Sequence, residues 1–135
     1  MRHVIGAVIG LAALPVVHYL TEAGAVGLRS CYALQQPDLR GAGCLAAVVA
    51  VIAVLAHGPW LSPLAALVCG LPMAVLGALF AVAPWAATPV VGALPPMESL
   101  TGTAEAPGVV AGVTGLSLVV GALLLVSAAF PARWR

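Results

Sequence analysis

Residues 62–84 read SPLAALVCGLPMAVLGALFAVAP, and this stretch decides the class of the protein. It contains no Asp, Glu, Lys or Arg, and it is as long as the ~20 residues that an α-helix needs to cross a hydrocarbon layer ~30 Å thick. Pro63 suits a first helical turn, Pro72 predicts a bend in the middle, and Pro84 follows the expected end. The stretch therefore predicts a transmembrane helix over residues 62–83.

Three further stretches have the same character, at residues 4–20, 41–57 and 107–130. Glu22 falls just beyond the first of them, and Glu105 falls just before the last. The sequence predicts an all-α, polytopic membrane protein: a four-transmembrane-helix bundle that forms one domain over residues 1–135. Its outer loops are expected at residues 21–40 and 84–106.

The composition indicates that the protein is surrounded by lipid. Hydrophobic residues make up 63% of the chain and charged residues 7%, against ~25% charged residues in soluble domains. A soluble domain of this size keeps a large part of its surface exposed and could not hide so much apolar area. No basic run is present, so nucleic acid is not an expected partner. The lipid bilayer is the first expected partner.

The first stretch has a second interpretation, a secretory signal. Arg2 and His3 resemble a charged leader, and residues 23–25 have the small side chains of a cleavage site. We expect a retained membrane helix. Within the loop at residues 21–40, residues 26–34 predict either an interfacial helix or a continuation of the first crossing. Pro37 should break it, and Asp38 should cap the next helix.

Tryptophans and arginines predict how the chain sits in the bilayer. Trp60, Trp85 and Trp134 are the expected interface anchors, because an indole ring is apolar but carries an N–H that needs a partner. With four crossings, both termini share a side that carries Arg2, Arg133 and Arg135, whereas the other side carries Arg29 and Arg40. The positive-inside rule then places both termini in the cytoplasm. The heavy use of Ala and Gly, with five Arg and no Lys, favours a GC-rich bacterium, and hence a bacterial inner membrane.

Small residues at four-residue spacing predict where helices approach closely, since lipid tails are as apolar as leucine and helices must associate by packing. The sequence offers such spacings in its first and last stretches. The expected helix-contact residues are Gly6, Gly10, Gly108, Gly112, Ser117 and Gly121.

No metal, cofactor or catalytic residue is predicted. Ionisable groups that serve proton or ion transport normally lie inside the crossings, and the central parts of the predicted crossings have none. His18 and His57 are expected at opposite faces of the bilayer, too far apart to share a metal or a haem. Glu98 and Glu105 could form an acidic site, but pairing with Arg29 or Arg40 is the expected role. An enzyme acting on lipid headgroups through His18 or these glutamates is a third alternative.

The three cysteines show no Cys-x-x-Cys motif of a thiol oxidoreductase. Cys31 and Cys44 both fall near the outer face, where a disulfide is possible. The alternative is that both are free thiols that pack as small apolar side chains, as is expected for Cys69.

The absence of chemistry, combined with many close-packing positions, favours a protein that acts by contact. The predicted function is a small, non-catalytic accessory, assembly or scaffolding subunit of a larger membrane complex. Its partner would be another membrane protein or a second copy of the chain. The alternative is a small homo-oligomeric transporter or exporter subunit, in which Pro15 and Pro72 permit movement.

Overall fold

The computed structural model describes residues 2–57 and 63–129 and is all-α, with no strand in these ranges. The helices are α1 (Arg2–Leu34), α2 (Leu39–His57), α3 (Pro63–Val82), α4 (Pro84–Gly92), α5 (Glu98–Thr101), α6 (Val109–Val113) and α7 (Leu116–Ala129). Three of them, α1, α2 and α3, are long and apolar enough to cross a membrane. The all-α class and the apolar, membrane-type helices are confirmed, whereas a bundle of four complete spans is not.

The first helix is much longer than the apolar stretch that predicted it. α1 does not end near Leu20 but runs on to Leu34 through most of the expected outer loop. It ends where Gln35 takes a positive φ of 54° and Pro37 prevents a further helical turn. Of the two alternatives for residues 26–34, the structure has the continuation of the first crossing. Thr21 and Glu22 consequently lie inside a helix.

The last apolar stretch is broken. The expected helix over residues 107–130 is divided into α6 and α7 at Gly115, whose φ of +77° lies in the left-handed region. The Thr114 hydroxyl donates to the carbonyl of Val110 at 2.8 Å, which satisfies a carbonyl near the break. Apolar composition alone predicted one helix here, because it does not register the backbone freedom of a glycine.

The expected outer loop at residues 84–106 contains two short helices. Pro84 lies just past the end of α3, as predicted, and occupies the first turn of α4. α5 follows after a short connection and ends at Gly102, which has a φ of +71°. The side chain of Tyr19 on α1 ties the connection down, since its hydroxyl donates to the Pro95 carbonyl at 2.8 Å.

The core lies between α1, α3 and α7. Val17, Cys69, Met73 and Leu124 are buried there with their neighbours. α3 and α7 run antiparallel: Gly70 faces Leu124 near one end of the contact, and Gly77 faces Leu118 near the other. α6 continues this line, because Gly112 packs on the ring of Phe80. α6 and α7 together therefore extend along most of the length of α3.

Candidate functional site

A carboxylate is buried in the middle of α1. The side chain of Glu22 is 1% exposed, and its two oxygens accept hydrogen bonds from two backbone amides of α6. Val110 N donates to Oε1 at 3.1 Å, and Ala111 N donates to Oε2 at 2.8 Å. A carboxylate is costly to bury unless it is hydrogen-bonded, and this geometry supplies two donors. Glu22 thus holds α6 against α1.

The neighbouring helices give the depth of Glu22. Gly24 packs on Leu45, and Gly27 packs on Gly41, so α1 and α2 run antiparallel. Glu22 therefore lies about eight residues, or about 12 Å, inside the α2 end that begins at Leu39. α2 is apolar over almost its whole length and is a candidate membrane span. At that depth Glu22 lies within the apolar layer defined by α2.

A histidine one helical turn before Glu22 faces the same connection. His18 is 7% exposed, and its Nε2 lies 3.3 Å from the carbonyl oxygen of Pro107. Residues four apart share one face of a helix, so His18 and Glu22 contact successive parts of the chain that enters α6. We call these two side chains, with residues 107–111, the Glu22 site.

The local sequence explains why the chain enters α6 at this place. Gly108 has a φ of +102°, which favours glycine. It also lies against the imidazole: a Cβ at Gly108 would stand 2.6 Å from Cε1 of His18. The carbonyl of Pro107 and the amides of Val110 and Ala111 therefore reach α1 only because a glycine stands between them.

An apolar groove lies next to the Glu22 site. It has a volume of about 200 Å³ and is bounded by α1, α3 and the connection after α4. We call it the α1–α3 groove, and its lining residues are Leu14, Pro15, His18, Tyr19, Pro72, Met73, Leu76 and Leu94. Both helix-interior prolines that were expected to permit bending line this groove. His18 belongs to the groove and to the Glu22 site, so only this side chain separates the two along α1.

The exposed charges lie beyond the Glu22 site along α1. The guanidinium of Arg29 lies 3.4 Å from the carboxylate of Glu105, which was one of the expected pairings. Arg40 donates to the Ser99 carbonyl at 2.7 Å. Glu98 is exposed at the start of α5. Arg29 and Arg40 thus hold the connection after α4 against α1 and α2.

Three of the predicted contact residues lie against a neighbouring helix. Gly10 meets the backbone of Ala65, Gly112 meets Phe80, and Gly121 meets Ala74. Gly108 contacts His18 rather than a helix backbone, and Gly6 is buried. The hydroxyl of Ser117 is buried with no hydrogen-bond partner among the described residues.

The remaining predicted residues lie apart from the Glu22 site. Trp85 is exposed at the start of α4, whereas Trp60 and Trp134 lie outside the described residues. Cys31 and Cys44 are half-buried free thiols, and Cys69 is a buried one. In the part of the chain that the structure describes, no three His, Cys, Asp or Glu side chains are placed to hold a metal ion together.

Sequence reasoning missed Glu22 because it ended the first helix where the apolar stretch ended. A usable signal was present. No proline occurs between Pro15 and Pro37, so nothing in residues 21–34 forbids a continuous helix. Within such a helix, Glu22 lies four residues after His18, on the same face. Its partners could not be found in this way, because they are backbone amides 88 and 89 residues away.

Comparison with known protein families, with curated proteins and with solved structures gave no match for this chain.

Proposed function

We propose that this chain is a subunit of a small homo-oligomeric membrane transporter, and that Glu22 carries a proton during its cycle. The observation that carries the proposal is the buried Glu22 carboxylate on a membrane-type helix. Ionisable side chains at membrane depth are rare and costly, and those that are kept usually serve ion or proton pathways. The argument against proton coupling was that the crossings lack such groups, and α1 now contains one.

The broken last helix supports the same function. Transporters often bind their substrates and ions at discontinuous helices, whose free backbone groups face a cavity. In this chain α6 and α7 form such a helix, and the amides of Val110 and Ala111 bond to Glu22. Irregular backbone is tolerated at membrane depth when protein covers it or when it lines a water-filled cavity. The entry to α6 is covered by α1, whereas Val113 and Thr114 at the break are exposed.

Self-association is part of the proposal. The described residues have three long helices and a broken fourth, and the α1–α3 groove of about 200 Å³ is lined by α1, α3 and the connection after α4. In this proposal a second copy completes the route across the membrane. Many apolar side chains of α1 and α2 face outward, including Val8, Leu11 and Val49, and either lipid or another subunit can cover them.

Proton flux in proteoliposomes tests this function. The full chain is reconstituted into vesicles that enclose a pH-sensitive dye, and a potassium diffusion potential drives H⁺ inward. We expect faster acidification than in protein-free vesicles, and we expect Glu22→Gln to return the rate to the protein-free level. Glu105→Gln is the matched control, because its carboxylate is half-exposed and pairs with Arg29 at the surface.

Two results would argue against proton transport. The proposal fails if wild-type vesicles acidify no faster than empty ones. It also fails if Glu22→Gln and Glu105→Gln behave alike.

The second candidate is the non-catalytic accessory subunit. It is favoured by α2, most of whose surface is left uncovered by the rest of the chain. A partner that covered this helix should remain bound when the native protein is purified in mild detergent. Recovery of this polypeptide alone would remove the basis for that candidate.

A further inference from the structure

We propose that residues 108–115 form a gate, which is closed when Glu22 is ionised and opens towards the α1–α3 groove when Glu22 takes up a proton. The role of this gate in transport rests on the function proposed above. The movement itself does not depend on that function and can be tested alone.

Residues 108–115 have a glycine hinge at each end. Gly108 and Gly115 stand at the two ends, and both have a positive φ, at +102° and +77°. Glycine reaches other backbone conformations from there without a Cβ clash, so both ends can rotate while the short helix α6 between them moves as a unit. Neighbouring α7 is held to α3 by backbone contacts at Gly70, Gly77 and Gly121, and therefore stays in place.

Two contacts on one face of α1 hold the gate closed. Glu22 accepts the amides of Val110 and Ala111, and His18 lies in hydrogen-bond contact with the Pro107 carbonyl. With both contacts made, Glu22 is 1% exposed, so water cannot reach it. A carboxylate that must exchange a proton has to become accessible. The 108–115 segment covers it, and although α6 packs on Phe80 and on Ala25 and Val26, this segment has a glycine of positive φ at each end.

Protonation weakens the Glu22 contact for a simple reason. The ionised carboxylate accepts two N–H groups with its two oxygens. After H⁺ from water adds to one oxygen, that oxygen carries a donor that opposes the amide facing it, so one of the two bonds is lost. Loss of one hydrogen bond to a charged group changes the open population about tenfold or more.

The other titratable groups near Glu22 are few. Among the described residues of α3, α6 and α7, the sole titratable side chain is Cys69, in the core. α2 and α5 carry Arg40, Cys44, His57 and Glu98. Arg40 and Cys44 lie between Glu22 and the start of α2, where Asp38 is the cap. His57 is the last residue of α2, at its other end, and Glu98 is exposed. On α1 itself, His18 faces the site, and Arg29 is paired with Glu105. His18 is therefore the titratable side chain that shares the α1 face of Glu22.

Opening would join Glu22 to the groove. His18 lines the groove and touches Gly108, so movement of Gly108 away from the imidazole frees the ring to turn. Residues Leu14, His18 and Glu22 follow one face of α1 at four-residue intervals. With the gate open, this face connects the groove with the carboxylate.

Amide hydrogen exchange on the full chain in lipid nanodiscs tests the gate. We compare wild type, Glu22→Gln and the control Glu105→Gln at one pH, and wild type at pH 7.5 and pH 5 after correction for intrinsic exchange. The glutamine at position 22 keeps the shape of the glutamate but offers a single acceptor oxygen. We expect amides 108–115 to exchange about tenfold faster in Glu22→Gln and in wild type at pH 5, with α3 and α7 unchanged.

Three results would overturn the gate. The first is an unchanged exchange rate over residues 108–115 in Glu22→Gln, and the second is an equal increase of that rate in Glu105→Gln. The third is an increase of the exchange rate that is the same in α3, in α7 and in residues 108–115, which would make Glu22 a purely structural residue. Local opening without any proton flux supports the gate and removes the transport function. Flux that depends on Glu22 without local opening supports transport and removes the gate.

Discussion

One side chain, Glu22, determines the path that the chain takes between α5 and α7. Its carboxylate fixes the start of α6 through two amides, and a glycine at position 108 lets that start approach α1. The approach is so close that the imidazole of His18 occupies the space where any other side chain would need to stand. The Glu22 site therefore requires a glycine at position 108 as well as the side chains of Glu22 and His18.

Replacing Gly108 tests that dependence. Gly108→Ala adds a Cβ 2.6 Å from the ring of His18, at a residue whose φ is +102°. We expect the free energy of unfolding to fall by about 2–4 kcal/mol, in part because of backbone strain and in part because of overpacking. The thermal unfolding midpoint, followed by circular dichroism in detergent, should fall accordingly.

Gly102→Ala is the matched control for this prediction. Gly102 also has a positive φ, at +71°, but a Cβ there meets no atom within 4 Å. We expect Gly102→Ala to lower the free energy of unfolding only through backbone strain, by about 1 kcal/mol. Equal losses of stability in the two variants would show that the contact with His18 does not contribute to stability.

At the scale of helices, glycines set how closely α3 and α7 approach. A Cβ on Gly77 would stand 2.6 Å from Cα of Leu118, and a Cβ on Gly70 would stand 2.7 Å from Cβ of Leu124. Both lie on α3, on the face it turns to α7. Helices in lipid gain little from apolar contact itself, so this close approach is a main source of their association.

Gly77→Ala should therefore separate α3 from α7. Since the nearest atoms of Leu118 belong to its backbone, they cannot move aside as a flexible side chain would. We expect a loss of about 1–3 kcal/mol in thermal unfolding. Gly43→Ala is the control, at a helical glycine of α2 with open space around it. It should be neutral or stabilising by about 0.5–1 kcal/mol, and a comparable loss there would contradict the packing explanation.

The start of α2 depends on a single cap. As expected from the sequence, the carboxylate of Asp38 accepts from the backbone N–H of Arg40, at 3.0 Å. Asp38→Ala should lower stability by about 1 kcal/mol, because a first-turn amide loses its acceptor. Asp38→Asn keeps an acceptor oxygen and should unfold close to wild type. A midpoint for the asparagine variant as low as that of the alanine variant would mean that the charge, and not the cap, matters.

At the scale of the whole molecule, the helix directions predict on which side of the membrane each connection between helices lies. α1 and α3 run parallel, since Gly10 meets Ala65 while His18 and Met73 line one groove further along. The ends at Leu34 and Val82 therefore lie on one side, and α7, antiparallel to α3, returns towards the other. This arrangement agrees with an even number of crossings in which the fourth is broken.

Alkaline phosphatase fusions test that topology. Fusions at residues 36 and 95 should be active, because the arginine distribution puts this side outside the cytoplasm. A fusion at the carboxyl terminus should be inactive. Opposite activities at residues 36 and 95 would mean that α1 and α3 do not cross in the same direction.

Several features were accessible from the sequence because each depends on a local property. Residues 62–84 are apolar over a membrane thickness and carry their own proline boundaries, so the limits of α3 follow from them. Pro37 and Asp38 likewise determine where α2 begins, since one residue cannot continue a helix and the other caps the next. The spacing of Gly10 and Gly121 likewise predicts them as contact positions.

Tertiary structure alone decided what Glu22 does. Hydropathy measures how residues partition between water and lipid, and by that measure Glu22 marks the end of a crossing. A carboxylate stays inside when donors from elsewhere in the chain satisfy both oxygens, and those donors are amides of α6 that no composition or spacing reveals. The sequence by itself determined an apolar, all-helical molecule suited to a membrane. The break at Gly115, the extension of α1 and the buried carboxylate arose from contacts between distant segments, because only the folded chain brings such donors and acceptors together.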